Sequence, residues 1–256
     1  MADSLMRIEN LKAGIEDKEI LKGLNIDIPK GKVVVVMGPN GSGKSTLSNV
    51  IMGHPKYNVS EGSIIFDGKE ILEIPPEERS ALGIFMSFQY PTSVPGVTVS
   101  ALLKAALENH RGKVDFAEFR QELNNAMNKL SIPHNFSHRY VNVGFSGGEK
   151  KRLEMLQMML LKPTLAILDE TDSGLDIDAL KIVSEAVNSM RSPDRTFVII
   201  THYSRILSLI KPDEIHILVK GKIVKEGGPE LADKLEEQGY GWLDEETDND
   251  ENTVKQ

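Results

Sequence analysis

The chain has 256 residues, 40% of them apolar and 27% charged, enough to bury a full core near the upper size of one domain. Its net charge of -8 disfavours a phosphate-backbone partner, so nucleic acid is not expected as a ligand. It has no cysteine, which excludes disulfides, thiolate metal clusters and cysteine nucleophiles and fits a cytoplasmic setting.

The opening segment, Met1 to Asn10, has no signal-like apolar stretch, and the longest apolar run is the five residues Val33 to Met37. Direct membrane insertion is therefore not expected. Arg7 to Lys12 reads as a strand, and Leu24, Ile26 and Ile28 alternate with Asn25 and Asp27 as in a half-buried antiparallel strand. The run Val33 to Met37 is too continuous for one wet face and reads as a central parallel strand. Short apolar strands follow at Ile64 to Phe66, Ile84 to Phe88, Leu165 to Leu168, Phe197 to Thr201 and Ile215 to Val219, separated by helical stretches. That alternation predicts a doubly wound α/β sheet.

Between Tyr90 and Leu161 the strand signals stop, and Val99 to Asn109, Phe116 to Leu130 and Gly147 to Leu161 carry helical spacing, which predicts an inserted helical subdomain at about 90–161. A single domain over 1–243 is expected, followed by an acidic tail over 244–256. The six acids between Asp244 and Glu251 predict a solvated, disordered end.

Gly38-Pro39-Asn40-Gly41-Ser42-Gly43-Lys44-Ser45-Thr46 follows the buried strand and precedes helix-forming residues, the pattern G-x-x-x-x-G-K-S in strand–loop–helix context. Glycines let backbone N–H groups turn toward phosphates, Lys44 reaches the β and γ oxygens, and Ser45 offers a hydroxyl to Mg²⁺. Leu165 to Leu168 then delivers Asp169 and Glu170 to a strand end. Asp169 would hold Mg²⁺ and Glu170 would orient or deprotonate the attacking water. Phe197 to Thr201 ends on His202, which can donate to a γ-phosphate, and Gln89 can touch Mg²⁺ or the attacking water. Phe145-Ser146-Gly147-Gly148-Glu149 places Ser146 at a helix N-cap, with two bare glycines that permit close approach of a second anion.

These segments, with Ser173-Gly174-Leu175-Asp176 and in this order, resemble the ATP-binding-cassette family. The resemblance implies an α/β P-loop ATPase with a mostly parallel core sheet, an antiparallel β subdomain and an inserted helical subdomain. It also implies that ATP and Mg²⁺ are bound, and that Ser146 and Gly148 contact a γ-phosphate held by the opposite subunit of an ATP-dependent homodimer. Two departures stand out: Phe145 and Glu149 replace the outer residues of the usual Leu-Ser-Gly-Gly-Gln, and the position of the usual adenine-stacking aromatic falls at Ile15 or a neighbour.

The flanks Phe88 to Pro91, Val141 to Arg152, Asp172 to Leu180 and Glu237 to Trp242 are most similar to the SufC branch, the ATPases of the Suf iron–sulfur cluster assembly system. That resemblance implies SufB-like and SufD-like scaffold partners, with a contact surface beside Gln89, Tyr90 and Pro91. The nucleotide-binding subunit of a membrane transporter is the alternative, since it would share every catalytic residue.

Overall fold

The computed structural model describes residues 4–89, 91–202 and 204–242. In chain order the elements are β1 (Ser4–Ile15), β2 (Lys18–Pro29), β3 (Val33–Met37), α1 (Lys44–Met52), β4 (Asn58–Phe66), β5 (Lys69–Glu70), α2 (Pro76–Ala81), β6 (Ile84–Ser87) and β7 (Val94–Thr98). Then come α3 (Val99–Arg111), α4 (Phe116–Lys129), β8 (Tyr140–Val141), α5 (Gly147–Leu161), β9 (Leu165–Asp169), α6 (Ile177–Met190), β10 (Thr196–Ile200), β11 (Glu214–Val219), β12 (Lys222–Gly227) and α7 (Glu230–Gln238).

Six strands form the central sheet in the order β12-β11-β3-β10-β9-β6, parallel except for the edge strand β12. The valine run of β3 lies inside it, and successive side chains enter different cores. Val33, Val35 and Met37 join the helices on one face, while Val34 and Val36 join α1 and the antiparallel sheet on the other. Phe197 and Ile199 against Val198 and Ile200 repeat this split on β10. Both faces are dry, so apolarity along these strands is continuous.

The second sheet is antiparallel, in the order β2-β1-β4-β5. The long hairpin β1–β2 turns at Glu16, whose φ is 52°, and its register runs from Ile15 opposite Lys18 to Ser4 opposite Pro29. Ile64 to Phe66 therefore lie in this antiparallel sheet, with Ile64 opposite Ile8, and not in the parallel sheet expected from their apolar run. A short apolar strand carries no sign of its direction.

The segment between β6 and β9 holds α3, α4 and α5 as expected, but it also contains a two-stranded antiparallel ribbon, β7–β8, with Val94 opposite Val141. Pro95 and Gly96 hide this strand from a propensity reading, and β8 is only two residues long. The acidic stretch 244–256 and Tyr90 lie outside the described residues.

Because β3, β6, β9 and β10 run parallel and in register, their C-terminal ends open on one edge. Val36 pairs with Ile200, Ile200 with Asp169, and Leu168 with Ser87. That register places four loops, starting near Gly38, Gln89, Glu170 and His202, side by side although they are far apart in the chain.

Candidate active site

The loop from Gly38 to Gly43 turns tightly between β3 and α1. A Cβ at Gly38 would sit 2.1 Å from the Leu218 carbonyl oxygen, so no other residue fits without moving β11. Gly43 has φ +112°, and its conformation starts α1 without a side-chain cap, leaving the helix N–H groups facing the loop. The amide of Gly221 donates to the Ser42 carbonyl at 2.9 Å and ties the loop to the β11–β12 turn. Lys44 is buried, and its Nζ donates to the carbonyls of Gly38 at 2.8 Å and Pro39 at 3.1 Å. Burial lowers its pKa, and the carboxylates of Glu170 and Asp169 oppose that shift. The ammonium thus sits inside its own loop, on carbonyls it can exchange for phosphate oxygens.

A cleft of about 450 Å³ opens over this loop, lined among others by Asn40, Gly41, Gly43, Lys44, Ser45, Thr46 and Glu170. Lys18, Glu19, Ile20 and Lys22 of β2, with Tyr57 and Lys220, complete its wall. The aliphatic side chain lining the cleft is Ile20 and the aromatic is Tyr57. Ile15 pairs across the β1–β2 hairpin with Lys18, one of the lining residues. Tyr57 stands edge-on to His54, and burial followed by the charge of Asp169 raises its pKa.

Asp169 ends β9 fully buried. It accepts from the Ser48 hydroxyl at 2.8 Å through Oδ2, and Ser45 Oγ lies 3.4 Å from Oδ1. Burial pushes its carboxyl above the usual range, with the Ser48 bond pulling the other way. Ser45 and Asp169 bring oxygen donors together beside the phosphate loop, the donor type a hard divalent cation such as Mg²⁺ prefers.

Glu170 follows in the left-handed region, φ 45°, held by its amide's bond to the Ile200 carbonyl at 2.9 Å. A non-glycine residue there costs on the order of 1 kcal/mol, which this sheet bond and the side-chain contacts offset. Its Oε2 accepts from the Gln89 amide, and its Oε1 lies 3.7 Å from His202 Nδ1. Gln89, Glu170 and His202 therefore meet at the open strand edge. Next to them Thr201 donates to Asp172 at 2.7 Å, and burial raises the Asp172 carboxyl.

Ser146 is the N-cap of α5. Its hydroxyl accepts from the Glu149 amide at 3.2 Å, and Glu149 Oε2 accepts from the Ser146 amide at 2.8 Å. This reciprocal capping box gives the glutamate at 149 a local task. Arg139 pairs with Glu149 and stacks its guanidinium 4.2 Å from the Phe145 ring centre, so both unusual outer residues belong to one cluster. The Ser146 amide, then Arg139, hold the Glu149 carboxyl below its usual range. A Cβ at Gly147 would meet nothing within 4 Å, and one at Gly148 would make only ordinary contact, 3.8 Å from Ala179. Packing among the described residues does not require either glycine.

Sequence reasoning gave no task to Ser48, Tyr57, Thr201 or Asp172. Thr201 and Asp172 lie in quoted segments but without a role, Ser48 and Tyr57 lie in none, and only the parallel register brings Ser48 to Asp169, 121 positions away.

A glycine-rich loop that leads from a buried parallel strand into α1, with paired acids at the end of β9 two strands away, defines a P-loop nucleotide hydrolase. The family profile described as "ABC transporter" matches residues 21–173, more than half of the chain, and the chain belongs to this ATP-binding-cassette family of ATP hydrolases. It is 50% identical to "Probable ATP-dependent transporter SufC" of Escherichia coli (strain K12), over 94% of this chain and 100% of that protein. It is 48% identical to "Vegetative protein 296" of Bacillus subtilis (strain 168), over 100% and 99% of the two chains. Among solved structures, a nucleotide-free ATP-binding cassette from an ABC transporter matches with TM-score 0.74 and 27% identity over 90% of this chain and 94% of that one. A dimeric cassette, MJ0796, in a post-hydrolysis state with ADP and Pi matches in fold with TM-score 0.76, at 22% identity over 88% and 98%. The fold is that of these cassettes, and among the described residues no helix is long and apolar enough to cross a membrane.

Proposed function

We propose that the chain is the ATPase of a Suf-type iron–sulfur cluster assembly complex, and that ATP closes two copies into a dimer whose hydrolysis reopens it. The single observation that carries the dimer is the bare face of Gly147 and Gly148. Two glycines that nothing among the described residues requires are suited to a phosphate brought from outside, next to the N–H groups at the start of α5. Ser146 and Gly148 then complete the nucleotide site of the opposite copy.

Within one copy, Gly38 to Thr46 wrap the phosphates, and Lys44 moves its ammonium from the Gly38 and Pro39 carbonyls to the β and γ oxygens. Ser45 and Asp169 would hold Mg²⁺, assisted by Gln89, and the bound ion would neutralise charge on the phosphate oxygens. Glu170 takes the proton of the attacking water. Gln89 and His202 stand on its two carboxylate oxygens and orient it, with His202 also in reach of the γ-phosphate side. An apolar surface for partners lies on either side of the segment that begins at Gln89. Phe88 precedes this segment, Val94 follows it, and Tyr140 and Val143 are exposed beside the β7–β8 ribbon.

The name SufC carried by the E. coli relative supports SufB-like and SufD-like scaffolds as the partners, and a chain without cysteine suits the motor of such a complex and not its cluster scaffold. The word "transporter" in the same name favours the second reading, a cassette that drives a membrane permease. Affinity purification of tagged Glu170→Gln protein from its native host with Mg-ATP, followed by mass spectrometry, separates the two. Soluble SufB-like and SufD-like proteins are the expected partners, and recovery of an integral membrane permease in their place overturns the cluster-assembly reading.

A further inference from the structure

Inside α5, the helix that begins at Ser146, two charged side chains are buried more than nine-tenths: Lys151 and Glu154. They pair with each other at 2.9 Å, and both reach the residue that leaves β6. Lys151 Nζ donates to the Phe88 carbonyl at 2.7 Å, and Glu154 Oε1 accepts from the Phe88 amide at 2.6 Å. Glu154 Oε2 also accepts from the Ser87 hydroxyl at 3.0 Å, and that hydroxyl lies 3.3 Å from the Thr171 hydroxyl, next to Glu170.

Both backbone polar groups of Phe88 are thus taken by side chains of α5. The Phe88 ring is about half exposed and gives the segment no internal anchor, while β6 pairs with β9 only as far as Ser87. The direction of the chain entering Gln89 is therefore set by α5. A buried ion pair is weak support for stability, because desolvation cancels much of its attraction, and burial raises the Glu154 carboxyl accordingly. What the pair supplies is a directional, doubly hydrogen-bonded grip. Glu154 lies eight residues from Ser146, about 12 Å along a rigid helix, so any shift of the Ser146 end is carried to Phe88.

We infer that Glu154 and Lys151 act as a positioning clamp by which α5 places Gln89 on Glu170, so that hydrolysis follows the engagement of Ser146 with phosphate. The inference rests on the role proposed above for Gln89.

The test is steady-state ATP hydrolysis and ATP binding by the full chain carrying Glu154→Gln, Gln89→Ala and the combination. The clamp predicts that Glu154→Gln lowers kcat roughly tenfold or more while the ATP Kd stays within about twofold, as for residues that orient a catalytic group. In the Gln89→Ala background the same change should lower kcat by less than about twofold, a non-additivity expected when two residues act as one unit. Glu154→Asp, which keeps the carboxylate, should recover most of the rate. Should Glu154→Gln fail to fold because Lys151 is left unpaired, Lys151→Met with Glu154→Met removes both charges and should show the same loss of kcat at an unchanged Tm. An unchanged kcat in a folded variant, losses that multiply with Gln89→Ala, or unfolding of both charge variants overturns the clamp. Gln89→Ala at the full rate removes the Gln89 role and the clamp with it, whereas a slow Gln89→Ala with multiplying losses removes the clamp alone.

Discussion

The phosphate loop and the start of α5 use the same materials, glycines and a helix N-terminus, to opposite ends. In the loop the chain needs its glycine. A side chain at Gly38 would run into the Leu218 carbonyl, Gly43 takes a left-handed turn, and Lys44 is folded onto the loop's own carbonyls. At α5, Ser146 and Glu149 satisfy each other, and among the described residues a Cβ would meet nothing at Gly147 and only Ala179, at ordinary contact distance, at Gly148. The loop is built by intramolecular packing; the start of α5 is a surface whose composition makes sense when a second body approaches, as in the proposed dimer.

Substitutions that split binding from closure probe this contrast most strongly. Lys44→Ala removes the buried ammonium, and ATP hydrolysis should fall by at least about 100-fold, the usual cost of losing one preorganised donor to developing charge. Nucleotide binding should weaken with it, as titration calorimetry would record. Ser146→Arg should abolish hydrolysis to a similar extent by a different route. ATP affinity of the single chain should stay within a few-fold, while the ATP-dependent dimer disappears from size-exclusion runs on a Glu170→Gln background. If Ser146→Arg instead weakens ATP binding by the monomer, the two half-sites are not separable as described.

A smaller effect separates the glycines by thermal melting. Gly38→Ala drives a methyl into the Leu218 carbonyl and should destabilise the protein by about 2 kcal/mol or more, as overpacking does. Gly147→Ala has open space and a helical position, so stability should stay equal or rise by up to about 1 kcal/mol while hydrolysis drops. Equal melting losses in the two variants would erase the distinction.

The same contrast governs what the sequence could reveal. The run Val33 to Met37, the loop to Thr46 and the cap at Ser146 are legible because each is a local pattern whose physics is complete within a dozen residues. The ribbon β7–β8 is not legible, since Pro95 and Gly96 interrupt β7 and its partner is two residues long. Ile64 to Phe66 read as a strand, but its sheet is chosen by pairing with Ile8 and not by its own composition. The acids and hydroxyls around the strand edge divide the same way. Asp169 and Glu170 announce themselves as a pair, whereas Ser48 and Glu154 acquire their tasks through partners 121 and 67 positions away.

The smallest predicted effect concerns Asp172, on the self-contained side of the molecule. Burial raises its carboxyl above the ordinary value, with the Thr201 bond and the charge of His202 working against that shift. The folded state therefore keeps this proton to higher pH than the unfolded chain does, and ionisation at neutral pH counts against folding. Below the unfolded pKa both states are protonated and the penalty vanishes; it grows as pH rises through the folded pKa and is complete above it. Asp172→Asn keeps an oxygen to accept from Thr201 and carries no charge. Its Tm should exceed that of the parent at pH 7, and the gain should shrink toward zero as the pH falls into the ordinary carboxylate range. A variant that melts lower than the parent at pH 7 would mean that the ionised carboxylate is held by interactions worth more than its desolvation, and that this strand edge is stabilised by charge as well as by packing.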